Sequence, residues 1–220
     1  MSGFKLAAEY GLTGHEGLLA SLHYDPLVAD ALQLAYEVHK VVTRNDGVTP
    51  YLVHPLRVAV TVQDHNFPSR AAVALLHDTV EDVDKMPPRG PHQFTDSNRA
   101  YLIRQIRQLD DPNDLILAGV WWLTSPDKDG SSLAYLSREV RKSMQREKIS
   151  AAPKWVQAIK LADRLDNLKE GLSSTDPFFA KDGKYWQESK ALYLAMRSQD
   201  NSVQLLEYPW VRELEELLSS

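Results

Sequence analysis

The run from Ala71 to Asp82, AAVALLHDTVED, constrains this chain more than any other segment: six consecutive apolar residues lead directly into His77, Asp78, Glu81 and Asp82. A helix that is apolar all round belongs in the middle of a core, covered by other helices on every side. Carboxylates delivered to the end of such a helix cost on the order of several kcal/mol unless they are paired or bound to metal. On one continuous helix, residues four apart share a face, so His77 stands one turn before Glu81 and Asp78 one turn before Asp82. The first pair can then ligate a metal, while the second, ~5.4 Å further along, reaches water or substrate. The segment reads as a metal-centred hydrolytic site.

Helical periodicity dominates the rest of the chain. Asp25-Pro26 starts a helix whose apolar residues Leu27, Leu34, Val38 and Val41 recur at helical spacing up to Thr43, and Asn45 to Pro50 turns the chain. His54-Pro55 opens a short helix through about Gln63, and Ser69 can cap the one that carries the opening motif. Pro87, Pro88, Gly90 and Pro91 mark a loop. Beyond it, Thr95, Asn113 and Ser131 or Ser132 are candidate caps for three helices, the last ending near Lys148. Pro153 begins an amphipathic helix that stops at Gly171, and helices near Lys184–Gln199 and Trp210–Leu218 follow. There is no sustained strand alternation and no internal repeat. The expected fold class is all-α, in a single domain.

With 220 residues, 43% of them hydrophobic, the chain can bury one substantial core. A net charge of -5 argues against general binding to nucleic acid or a membrane surface and favours a small-molecule partner. Without cysteine, any metal must be held by His, Asp and Glu. No run approaches the ~20 apolar residues of a membrane span, and the N-terminus lacks a secretory apolar region, so a cytoplasmic location is expected.

A mononuclear hydrolytic metal needs ligands from other segments, and two candidates stand out. His54, in PYLVHPLRVAV, is an imidazole in apolar surroundings that needs a partner. Asp163, in IKLADRLDNLKE, lies off the apolar face of Leu161, Leu165 and Leu168 and shares a face with Asn167, which suggests a ligand beside a substrate contact.

Three segments, GVTPYLVHPLRVA (Gly47 to Ala59), ALLHDTVED (Ala74 to Asp82) and KLADRLDNL (Lys160 to Leu168), resemble in order and approximate spacing the signature blocks of the RelA/SpoT hydrolase domain. The likeness extends more weakly over about residues 31–195, including VWWLTSP (Val120 to Pro126). It implies an HD-domain helical bundle over residues 1–220 that removes the 3'-pyrophosphate from (p)ppGpp, giving GDP or GTP and pyrophosphate, with bound manganese. By motif position, His54, His77, Asp78 and Asp163 would be the metal ligands, and Glu81 and Asp82 would position and activate the attacking water. Arg44 would lie against the base and Asn167 would contact the ribose.

Two imidazoles and two carboxylates suit Mn²⁺ and tolerate Fe²⁺ or Zn²⁺, while Arg44, Lys40 and Arg164 are candidates to offset phosphate charge. Against compact members of the family, residues 85–113 resemble an insertion at the substrate rim. Small members differ in accepting guanosine or adenosine alarmones, and some neutralise a partner toxin. The alternatives are therefore the same chemistry on (p)ppApp or on a pyrophosphorylated RNA 3' end, as antitoxin to an alarmone-synthetase-like toxin. The sequence leaves the oligomeric state open. His15, His23, His39, His65 and His92 are expected to be structural or surface residues.

Overall fold

The computed structural model describes residues 7–86, 97–109, 114–128, 133, 135–199 and 202–220. The candidate loop at Pro87 to Pro91, the candidate caps Thr95, Asn113, Ser131 and Ser132, and His92 lie outside them, as does much of the 85–113 segment. The described residues are all-helical, and their one β contact is an isolated bridge between Thr43 and Pro50. Two compact units divide the chain, Met1–Thr124 and Ser125–Ser220.

The first unit contains α1 (Glu16–Ser21), α2 (Pro26–His39), α3 (Val53–Val62), α4 (Pro68–Leu76), α5 (Thr79–Asp82), a 3₁₀ turn (Val83–Lys85), α6 (Asn98–Gln108) and α7 (Leu115–Leu123). Its centre is α4, packed by α2, α3 and α7. Every residue from Ala71 to Leu76 is buried, as a helix apolar all round requires. Cutting Leu75 or Leu76 back to alanine there would cost ~2–5 kcal/mol.

The Asp25-Pro26 signal starts α2 as expected, the Asp25 carboxylate accepting from the Leu27 amide at 2.9 Å. That helix ends at His39 rather than Thr43, because the chain then reverses through a short two-sided loop. The Tyr51 amide donates to Val42 O at 2.9 Å and the Arg44 amide to Thr49 O at 2.8 Å. Asp46 closes the tip by accepting from the Val48 and Thr49 amides, and Gly47 supplies the positive φ of 71°. These bonds hold the Asp46 carboxyl down at about 2, the Thr49 hydroxyl being the largest cause.

In this unit three helix starts fall elsewhere than the candidate caps. Phe67 precedes α4, with Pro68 opening it, so Ser69 is inside the helix. Ser97 caps α6 by accepting from the Ala100 amide, and Asp114, at φ 52°, precedes α7.

The second unit contains α8 (Arg138–Ser150), α9 (Lys154–Gly171), α10 (Lys184–Arg197), a 3₁₀ segment (Ser202–Glu207) and α11 (Pro209–Ser219). Ser137 is the cap of α8. The central helix is α9, flanked by α8, α10 and α11 and buried almost without interruption from Val156 to Leu165. It stops where expected. A Cβ on Gly171 would fall 2.8 Å from Phe179 O, so only glycine lets the returning chain approach the helix end. The acidic last helix is a packing element: Val211, Leu214 and Leu218 are buried, Trp210 donates to Ala158 O at 2.9 Å and Glu213 pairs with Lys169 at 2.6 Å.

Candidate metal centre

The apolar run and the acidic run do not form one helix. α4 closes at Leu76, His77 and Asp78 form a turn, and α5 begins at Thr79. Two side chains make the break. His77 Nδ1 lies 2.7 Å from Ala74 O, and Thr79 Oγ1 donates to Leu76 O at 2.6 Å, so side chains take carbonyls that would otherwise accept from the continuing backbone. The Asp82 amide still donates to Asp78 O at 3.0 Å. The four-residue link between those two acids thus survives the break.

The same contact sets the tautomer of His77. A carbonyl cannot donate, so Nδ1 carries the proton and Nε2 presents its lone pair. Nε2 lies 3.1 Å from Asp78 Oδ2, and His54 Nε2 lies 3.8 Å from that oxygen. His54 reaches it from the first turn of α3, its ring edge-on to His77 at 5.2 Å. Both imidazoles are buried and Asp78 is half-buried; one ligand atom from each of the three lies within 4.8 Å of the others. Two imidazole nitrogens and a carboxylate oxygen converging at that spacing fit a divalent transition ion.

Around this cluster the first unit places Tyr51, His39, Asp82, Lys85 and Arg44. The Tyr51 hydroxyl donates to Asp78 Oδ2 at 2.6 Å. Burial, then the Asp78 charge, holds that phenol well above its usual range, so it stays a donor. Asp82 is buried, with Lys85 Nζ 2.8 Å from Oδ1 and His39 Nδ1 3.7 Å from Oδ2. Glu81 is half-buried on the same short helix. Arg44 Cζ stands 5.3 Å from the Tyr51 ring centroid. Lys40 is exposed at the end of α2.

In the second unit, Asp163 is buried on α9 with both oxygens engaged. Oδ1 accepts from Asn167 Nδ2 at 2.6 Å, which realises the shared face read from the sequence, and Oδ2 pairs with Lys160 Nζ at 2.8 Å. Arg164 is buried with its guanidinium 4.9 Å from the Tyr185 ring centroid.

No family model matches the chain. A solved structure described as a metazoan orthologue of SpoT that hydrolyses ppGpp and plays a role in starvation responses superposes with a TM-score of 0.60, covering 89% of this chain and 97% of that one at 21% identity. The chain has the all-helical fold of that SpoT orthologue. A local match to a rice (Oryza sativa subsp. japonica) protein described as a putative chloroplastic GTP diphosphokinase RSH1 is 47% identical over 58 residues, which is 26% of this chain and 6% of that protein.

Two residues beyond those singled out from the motifs stand at the cluster. Tyr51 lies three positions before His54, a helical spacing that could have pointed to it. His39, expected to be a structural or surface residue, is buried against Asp82 and against the Tyr51 ring at 4.8 Å. Burial is the main cause that lowers its pKa to about 3, so it is a neutral imidazole. No local pattern marks it, because Asp82 is 43 residues away in sequence (82 − 39). Among the described residues no helix is long and apolar enough to cross a membrane.

Proposed function

We propose that this chain is a metal-dependent hydrolase that removes the 3'-pyrophosphate from (p)ppGpp, yielding GDP or GTP and pyrophosphate. The observation that carries the reading is the convergence of buried His54 and His77 on half-buried Asp78, on a fold shared with a ppGpp-hydrolysing SpoT orthologue.

In this reading His54, His77 and Asp78 hold the ion, with Mn²⁺ the first choice and Fe²⁺ or Zn²⁺ alternatives. Asp163 is kept as a further ligand on its motif position. A divalent ion there supplies Lewis acidity toward a phosphoryl oxygen and toward water. Glu81 and Asp82 orient the attacking water and accept its proton as the new P–O bond forms. The bond to the ribose 3' oxygen breaks, and that oxygen leaves with a proton. Tyr51 fixes the Asp78 carboxylate. Arg44 is assigned to the base, Asn167 to the ribose, and Lys40 and Arg164 to phosphate charge. That both compact units belong to one hydrolase domain is part of the same proposal.

The test is incubation of manganese-loaded protein with ppGpp, with and without chelator, reading pyrophosphate and GDP. Turnover that the chelator abolishes supports the reading. Cleavage of ppApp or of a pyrophosphorylated RNA 3' end, with ppGpp untouched, would overturn the substrate and keep the chemistry.

A further inference from the structure

Lys85 is a cation set against the acidic residues of the centre. Its Nζ is 2.8 Å from Asp82 Oδ1, and its side chain is 54% exposed where that of Asp82 is 12% exposed. The same ammonium lies 5.9 Å from the Tyr51 ring centroid, and the Arg44 guanidinium lies 5.3 Å from it. Two cations thus gather on one aromatic ring whose hydroxyl is bonded to Asp78. Lys85 thus reaches Asp82 from the solvent side, where a polyphosphate would offer its ammonium several oxygens at once.

We propose that Lys85 binds a diphosphate oxygen of the substrate, giving up Asp82 as it does so. Before substrate arrives, Lys85 offsets the Asp82 charge, with neutral His39 behind that carboxylate. A polyanion entering beside Asp78, Glu81 and Asp82 meets repulsion that Lys85 and Arg44 counter. As Nζ turns to the phosphate, Asp82 Oδ1 becomes available to the attacking water. No bond forms or breaks in this exchange; one ion pair replaces another. The inference rests on the reading of Asp82 and of a polyphosphate substrate given above.

The experiment compares wild type, K85Q and K85R in two arms. In steady state with ppGpp, K85Q should raise KM ~10-fold or more with kcat within about a factor of two, and K85R should restore KM. In calorimetry on the manganese-loaded protein, K85Q should weaken binding of inorganic pyrophosphate or of GDP by a similar factor, and K85R should restore it. The ligand affected shows whether Lys85 grips the 3' or the 5' diphosphate. An unchanged KM, a fall in kcat alone, or unchanged binding of both ligands would overturn the proposal. If wild type leaves ppGpp intact, the functional reading fails, and the calorimetric arm still decides Lys85.

Discussion

Tyr51 donates its hydroxyl to Asp78 Oδ2 at 2.6 Å, the same oxygen that stands 3.1 Å from His77 Nε2 and 3.8 Å from His54 Nε2. A phenol on a carboxylate at that distance is a charge-assisted hydrogen bond that fixes the rotamer of a ligand. Tyr51→Phe keeps the ring for Arg44 and His39 and deletes only that bond. Manganese affinity should fall ~10–100-fold, as for other outer-shell partners of ligands. Titrating Mn²⁺ into the metal-free variant and wild type checks this, and equal affinities would separate Tyr51 from the metal site.

Ion binding to the folded state alone should stabilise it by mass action. At 100 times Kd the gain is ~2.7 kcal/mol, so the thermal midpoint of wild type should rise with manganese and drop again on chelation. Asp78→Asn removes one of the three converging groups while keeping an acceptor for Tyr51. It should abolish both hydrolysis and the manganese-dependent rise, yet melt near the metal-free wild type. A full manganese shift in that variant would show that the ion sits elsewhere.

These expectations rest on a centre that was largely legible in residue types and spacing. His54, His77 and Asp78 converge because the apolar residues beside them pack α3 on α4, a consequence of hydrophobic patterning that sequence shows directly. Asp163 and Asn167 meet because four residues make a helical turn. The break at His77-Asp78 was hidden, because the spacing of AAVALLHDTVED fits one helix and the interruption comes from side chains bonding to Ala74 O and Leu76 O. His39 was hidden for another reason: its place beside Asp82 follows from packing of α2 on α5, which no local window contains. The candidate caps failed where several Ser, Thr, Asn and Asp residues crowd together, as before Ser97, Asp114 and Ser137, and local chemistry could not choose among them.

His39 gives a pH signature. Its imidazole titrates at about 3 in the folded protein against a usual value of 6.5, burial being the main cause. Between those values the unfolded chain binds a proton that the folded one refuses, so stability falls as pH drops through that window. Above it both states hold a neutral ring, and this contribution no longer varies. His39→Gln should flatten that part of the acid limb in denaturant titrations run in chelator at a series of pH values. An unaltered slope would mean that His39 is not buried neutral.

Arg44 meets the Tyr51 ring at 5.3 Å on a loop fixed by Asp46 and Gly47, and the proposed function assigns it to the base. Contacts to a base act equally on ground and transition states. Arg44→Ala should therefore raise KM for ppGpp more than it lowers kcat, read from full saturation curves. A KM left at the wild-type value would remove Arg44 from the substrate site.

Thr79 ties the fold to the chemistry. Its buried hydroxyl donates to Leu76 O at 2.6 Å, and with His77 it ends α4 so that His77 and Asp78 turn toward His54. Thr79→Val preserves shape and volume but leaves that carbonyl without the hydroxyl, at a cost of ~1–3 kcal/mol. Thr79→Ser keeps the donor and should cost less, even though it trims a buried methyl. The bond also sets the backbone of the ligand turn, so the valine variant should bind manganese more weakly and the serine variant nearly as well as wild type. Denaturant unfolding with metal titration on both variants tests this, and equal manganese affinity across all three proteins would mean that the turn forms without the Thr79 hydroxyl.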